Sequence, residues 1–261
     1  MIDIHSHILP DIDDGPGTIE EALEMAKVAA ADGIEQMICT PHMFNGLSGN
    51  PHPAEIVSRV AALQEAIGNL LMVLPGNEVH VSHEIAEQAK TDRVTKLNQK
   101  NYMLVEFPSL TVPLGADELF YKLQLQGVHP ILVHPERNSQ LQNRPSLVAD
   151  FVQRGVLIQV TAMSVTGEFG SAAQACALSL LKHNCVHFLA TDTHRPSRRP
   201  PILSRGRDAA ATIIGQEKAL RLVYANPLAV VRGESFPIEP VIPYGSSKSS
   251  SPSVFSRLFR R

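Results

Sequence analysis

The sequence predicts an α/β fold built on a parallel sheet, either closed into a barrel or opened into a doubly wound sheet. Three observations lead there. Seven short β-type runs recur along the chain, with helix-compatible stretches between them. Hydrophobic residues make up 44% and charged residues 19%, which supplies a large core and excludes a disordered chain. A length of 261 residues suits one domain with a short appendage better than two full domains.

In chain order, the first run is Ile2–His5. The amphipathic stretch Thr18–Asp32 follows, opened by the capping pair Thr18 and Glu21 and stopped by Gly33. Further strands are expected at Gln36–Thr40, Leu70–Leu74, Tyr102–Phe107, Pro130–His134, Val156–Val160 and His187–Thr191. Helices are expected at Pro53–Ile67, Val81–Lys90, Ala116–Gln126, Arg144–Arg154 and Ser171–His183, with two more at Ile202–Ile214 and Gln216–Tyr224. Strands separated by helices of 10–15 residues make βα units, whose strands run parallel.

Several function classes drop out early. No glycine-rich nucleotide fingerprint follows a strand. A net charge of −3 argues against a nucleic-acid partner. No apolar run approaches the roughly 20 residues of a membrane span. Met1–His5 has neither the basic nor the apolar region of a signal peptide, so a cytoplasmic address is expected. Cys39, Cys176 and Cys185 form no disulfide framework, and none starts a C-x5-R phosphatase loop, since Asn45, Lys182 and Thr191 stand six residues on. No G-x-S-x-G elbow is present. We divide the chain into a body, 1–244, and a Ser-rich basic tail, 245–261. The body carries 19 basic and 26 acidic residues; the tail carries four basic, no acidic and seven serine residues. The tail reads as a flexible segment whose Phe255, Leu258, Phe259 and arginines could give weak contact with the inner membrane face or a partner.

The chemistry sits at the strand ends. They read His5-Ser6-His7, Thr40-Pro41-His42, Gly76-Asn77-Glu78, Glu106, His134 and Asp192-Thr193-His194. In a parallel barrel these ends meet on one face, where active sites lie. Residues i and i+2 of a strand share a side, so His5 with His7, and Asp192 with His194, can each present two ligands to one cavity. A single H-x-H is more often a solvated turn. Imidazoles and carboxylates at six of seven strand ends are a metal site, suited to zinc, manganese or iron. One ion takes three or four protein ligands. At least eight are available, besides Asp11, Asp13 and Asp14, so two or three ions are expected. His52, His80, His83, His129, His183 and His187 lack a repeated ligand spacing and are read as non-ligands. Directly after Asp192 and His194, the segment Arg195–Arg207 holds five arginines, whose forked guanidiniums match phosphate oxygens.

The motifs His5-x-His7, Leu9-Pro10-Asp11-Ile12-Asp13-Asp14-Gly15, Thr40-Pro41-His42, His134-Pro135-Glu136-Arg137 and Thr191-Asp192-Thr193-His194 resemble the polymerase and histidinol phosphatase (PHP) family. Within it they resemble the bacterial protein-tyrosine phosphatases of the CpsB/YwqE group, linked to capsule and exopolysaccharide synthesis. The likeness runs from Met1 to about Gly233. It implies a distorted (β/α)7 TIM-like barrel of PHP type with a manganese-favouring trinuclear centre; iron, cobalt and zinc are alternatives. It implies one ion on His5, His7, Glu78 and Asp192, a second sharing Glu78 with Glu106 and His134, and a third on Asp14, His42 and His194. It places Arg137 and Arg199 on the substrate phosphate; Arg195, Arg198, Arg205 and Arg207 remain surface charges. Thr191 departs from the serine usual at that position.

The implied activity is hydrolysis of phosphotyrosine by a metal-bridging hydroxide, with the tail of a bacterial tyrosine kinase as the expected partner. The rival within the family is a phosphoesterase acting on a small phosphomonoester such as histidinol phosphate. A rival from another class is a non-enzymatic adaptor, and intact ligands at the strand ends weigh against it.

Overall fold

The computed structural model describes residues 1–46, 49–91 and 93–245. Nine strands are assigned there: β1 Ile2–Ser6, β2 Gln36–Cys39, β3 His42–Met43, β4 Met72–Pro75, β5 Glu78–His80, β6 Tyr102–Glu106, β7 His129–Val133, β8 Leu157–Thr161 and β9 Phe188–Ala190. Every pairing is parallel, in the orders β1-β2-β4 and β3-β5-β6-β7-β8-β9. Thr40-Pro41 separates β2 from β3, and Gly76-Asn77 separates β4 from β5. The nine segments are therefore seven strands, two of them broken. Proline removes a ladder donor at the first break. At the second, a Cβ on Gly76 would lie 2.9 Å from both Ile38 and Leu97, so only glycine lets the strand pass the core there.

The ring closes between its first and last strands. Ser6 bridges Thr193 in parallel; the His7 amide donates to the Thr193 carbonyl and the Asp192 amide to the His5 carbonyl, each at 2.9 Å. Asp3, buried under this seam, accepts the Thr191 amide at 3.1 Å and also its hydroxyl. Closure makes the fold an α/β barrel rather than an open sheet.

Eleven helices are assigned among the described residues, and the longer ones lie where the apolar periodicity predicts them. The eleven are α1 Ile19–Ala31, α2 Pro53–Ile67, α3 Ile85–Lys90, α4 Ala116–Leu125, α5 Ser139–Asn143, α6 Ser146–Gln153, α7 Ala162–Thr166, α8 Ser171–Lys182, α9 Ser204–Ile214, α10 Gln216–Leu220 and α11 Asn226–Arg232. Thr18 caps α1 by accepting the Glu21 amide at 3.3 Å. The reading of Val81–Lys90 as helical is too long: Val81 pairs with Glu106 and the helix begins only at Ile85. Likewise Gln216–Tyr224 is α10 followed by one wide turn over Arg221–Ala225. The short helices α5, α7 and α11 carry too little periodicity to be predicted.

Two apolar clusters flank the strands. Ile2, Ile4, Ile38, Leu104, Ile131, Val133, Phe188 and Ala190 belong to one, and Met37, Val105, Leu132, Ile158 and Leu189 to the other, where they pack with the helices. Alternation along each strand produces this division. Of the Ser-rich segment 245–261, all but Gly245 lies outside the described residues.

Candidate metal centre

Alternation alone sends His5 to the face opposite Ile4, and His134 to the face opposite Val133. Two irregularities re-aim them. The pairing register of β1 shifts between Asp3 and Ser6. His134 sits in the left-handed region at φ 34° as β7 ends. Asp192 is also left-handed, at φ 51°. A bulge or a positive φ on a non-glycine residue costs stability and is kept where it positions a functional side chain.

All nine sequence-predicted ligands fall into four overlapping sets whose ligand atoms lie within 4.8 Å of one another: His7, Asp14, His42 and His194; His5, Glu78 and His134; His5, His7 and Asp192; His42, Glu78 and Glu106. Glu78 lies between several rings. Its Oε1 is 2.8 Å from His134 Nε2 and 3.4 Å from His5 Nε2; its Oε2 is 2.9 Å from His42 Nδ1 and 3.3 Å from His7 Nε2. Asp192 Oδ1 is 3.5 Å from His5 Nε2 and 3.4 Å from His7 Nε2. Asp14, on the exposed rim, lies 3.2 Å from His194 and 3.5 Å from His42. The grouping differs in two respects from the one the family resemblance implies. His7 faces Asp14, His42 and His194 as well as His5, and His42 faces Glu78 and Glu106 as well as Asp14.

These residues fit divalent cations. His7 Nδ1 is 2.7 Å from Asp13 Oδ2, and His5 Nδ1 is 2.9 Å from Gln159 Oε1. Both partners are hydrogen-bond acceptors, so each ring places its N–H on Nδ1. A neutral ring then presents a lone pair at Nε2. The two Nε2 atoms face each other at 3.3 Å, ringed by Glu78 and Asp192 oxygens. His42 Nδ1 and Glu78 Oε2 are buried, and though 2.9 Å apart they make no hydrogen bond. Converging acceptors repel unless protons or cations lie among them.

Without ions, protons take that place. Burial disfavours a charged His7, but Asp13, Asp192 and Glu78 outweigh it and hold its pKa well above the ordinary value. Burial similarly opposes ionisation of Glu78, yet His5, His134 and His42 hold its carboxyl well below the usual carboxylate range. For Asp192 burial is again overcome, by His5 and by Arg137.

Two guanidiniums adjoin the cluster. Arg137 pairs with Asp192 Oδ2, and Arg199 Nη1 lies 3.3 Å from the same oxygen. Arg195 and Arg205 instead face Glu21 at 3.6 Å and Glu168 at 3.1 Å, as surface charges do. A cavity of about 220 Å³ opens between the ends of β6 and β7, lined by Glu106, Phe107, Ser109, His134 and Arg137 among others. The three thiols are buried, and burial pushes the pKa of each up, that of Cys176 and Cys185 to about 12. None is available as a thiolate nucleophile.

A family described as capsular polysaccharide synthesis, CpsB/CapC, matches residues 1–232. The chain belongs to the CpsB/CapC family. It is 40% identical over 202 residues to the tyrosine-protein phosphatase YwqE of Bacillus subtilis, covering 76% of this chain and 79% of that protein. It is 27% identical over 239 residues to the tyrosine-protein phosphatase CpsB of Streptococcus agalactiae, covering 89% and 98%. A crystal structure from work on YwqE of Bacillus subtilis and CpsB of Streptococcus pneumoniae, described as unique metal-dependent tyrosine phosphatases, superimposes with a TM-score of 0.89 at 35% identity, covering 94% of this chain and all of that one. A TatD-family hydrolase from Entamoeba histolytica, at 12% identity and a TM-score of 0.54, covering 89% of this chain and 98% of that one, shares the fold alone.

In this CpsB/CapC chain two residues near the ligands acquire roles that sequence patterns do not reveal. Asp13, counted among spare ligands, accepts the His42 and Gly15 amides at 3.1 and 3.0 Å while holding His7. Gln159 looks like an ordinary strand residue, yet it is buried and its carbonyl orients His5. His80, read as a non-ligand, lies 3.3 Å from Glu106 on the rim. Asp13→Ala is expected to weaken manganese binding about 10–100-fold, as losing a carboxylate behind a ligating histidine does. Calorimetric titration of the apoprotein with Mn2+ checks this; unchanged affinity would leave Asp13 a loop tether only.

Proposed function

We propose that this chain is a metal-dependent protein-tyrosine phosphatase whose substrate is a phosphotyrosine protein, the tail of a bacterial tyrosine kinase of capsule or exopolysaccharide synthesis. The observation that carries the reading is the placement of Arg137 and Arg199 on one oxygen of Asp192, at the edge of a cluster of imidazoles and carboxylates. Kinship with YwqE and CpsB supports the substrate class. The expected place of action is the cytoplasm, where the phosphotyrosine tail of such a kinase would be met. Among the described residues no helix is long and apolar enough to cross a membrane. Residues 1–244 form the catalytic unit.

Two to three ions, manganese by preference, with iron, cobalt or zinc as alternatives, would be held by His5, His7, Asp14, His42, Glu78, Glu106, His134, Asp192 and His194. Bound there, they would supply Lewis acidity and a water acidified to near-neutral pKa. The chain's own residues do the rest. Asp13 and Gln159 keep the His7 and His5 lone pairs directed inward. Arg137 and Arg199 meet the phosphate oxygens on which charge accumulates during in-line displacement. A phenolate leaving group, of pKa about 10, departs with less protonic help than an alkoxide. The carboxylates Asp14 and Glu106 keep the positive charge of the cluster lower than imidazoles there would, so the site depends more on a good leaving group.

The test is kcat/KM of the manganese-loaded protein on a phosphotyrosine peptide, its phosphoserine counterpart and histidinol phosphate. Preference for the phosphotyrosine peptide by about tenfold or more is expected, on the leaving-group difference. Preference for histidinol phosphate would move the protein to the small-phosphomonoester reading and leave the metal assignment intact.

A further inference from the structure

Of the seven strands, β8 alone ends without a histidine or carboxylate; its end reads Thr161-Ala162. The chain that leaves it still returns to the site. The Thr161 amide and the Ser164 hydroxyl both donate to Glu136 Oε1, at 3.0 and 2.6 Å, which ties the β8 end to the residue preceding Arg137. After α7 the chain turns through Gly167 and Gly170, both left-handed at φ 92° and 91°, with Glu168 and Phe169 between them. The turn is held on several sides. The Glu168 amide donates to Met163, the Gly170 amide to Gly167, and the Glu168 carboxylate faces Arg205 at 3.1 Å. Half-buried Phe169 projects from this fixed turn. The Arg137 guanidinium carbon lies 4.9 Å from its ring centroid, and that of Arg199 lies 5.4 Å from the same centroid.

Two guanidiniums on one side of one metal cluster repel each other, and long arginine side chains lose rotamer freedom when fixed. An aromatic ring within about 6 Å attracts cations through its negative face. Here one ring serves both. We propose that Phe169 is a positioning residue for phosphate recognition: its ring holds Arg137 and Arg199 together so that the pair meets the phosphate already placed. The inference rests on the phosphatase reading above and deepens it. The effect belongs to the aromatic face and not to apolar bulk, which separates it from ordinary packing.

The experiment compares wild type, Phe169→Leu and Phe169→Tyr as full-length manganese-loaded enzymes. It measures metal content, kcat and KM on para-nitrophenyl phosphate, and inhibition by inorganic phosphate. Phe169→Leu should keep its metal, lose roughly tenfold in kcat/KM and bind inorganic phosphate several-fold more weakly; Phe169→Tyr should stay within about threefold of wild type. In an Arg199→Ala background the Leu substitution should cost markedly less, because one of the two guanidiniums that the ring holds together has been removed. A Leu variant as active as wild type, equal losses for Leu and Tyr, or strictly additive losses with Arg199→Ala would each overturn the proposal. A wild-type enzyme inactive on aryl phosphates would instead overturn the phosphatase reading itself.

Discussion

Glu78→Ala is expected to yield a folded protein that retains little metal and has no measurable turnover. Glu78 is almost fully buried, and its two oxygens face four imidazoles from three other strands of the barrel: His5 and His7, His42, and His134. Removing it takes a shared carboxylate out of the cluster and leaves those rings facing one another. Losing one of three or four ligands to an ion lowers affinity steeply, and the shared position spreads the loss to more than one ion. His5→Ala and Asp192→Ala should behave alike, since each belongs to the same buried group. Elemental analysis of each variant beside a phosphatase assay checks the outcome. Full metal content in Glu78→Ala would remove it from the ligand set. Chelation of the wild type is the companion measurement: activity should disappear and return with Mn2+.

Arg199→Ala should separate the two parts of the site. Its guanidinium makes contact with Asp192 and His194 but offers no ligand atom, so metal content should stay normal. On the proposed reading, the variant loses one fixed positive charge where the phosphate oxygens become more negative. Single groups of that kind are worth roughly 10²-fold or more in rate, and a loss of about that size in kcat/KM is expected. Arg137→Ala should lose a similar amount. A normal rate for the Arg199 variant would remove it from the reaction. The contrast with Glu78 is one of kind: one variant is empty, the other loaded and slow.

Much of this was legible in the sequence because barrel topology turns a list of strand ends into a place. His5-Ser6-His7, Glu106, His134 and Asp192-Thr193-His194 could be gathered from their positions alone, since parallel strands bring their ends to one face. Closure of the sheet was legible only through the family resemblance, because the seam pairs Ser6 with Thr193 by backbone atoms that any residue carries. The breaks at Pro41 and Gly76-Asn77 were also hidden, so two strands looked shorter than they are. The aim of individual ligands depends on the register shift in β1 and on positive φ at His134 and Asp192, which no residue type there announces. Asp13 looked like one more carboxylate beside Asp14, and only geometry turns it toward His7. Phe169 was invisible because an aromatic between glycines has no motif; its meaning lies in two arginines distant along the chain.

The seam has a consequence for how such a protein comes into being. Thr191 and Asp3, hydrogen-bonded across it, are 188 residues apart. Contacts of such long range carry a large entropic cost before they are rewarded, and they form late. During synthesis His5 and His7 leave the ribosome well before Asp192 and His194. The nascent chain thus carries part of the candidate ligand set early but can assemble the whole only when the last strand docks on the first. Catalytic competence and completion of the barrel arrive in one event, so partly made or seam-opened molecules remain idle toward phosphoproteins around them.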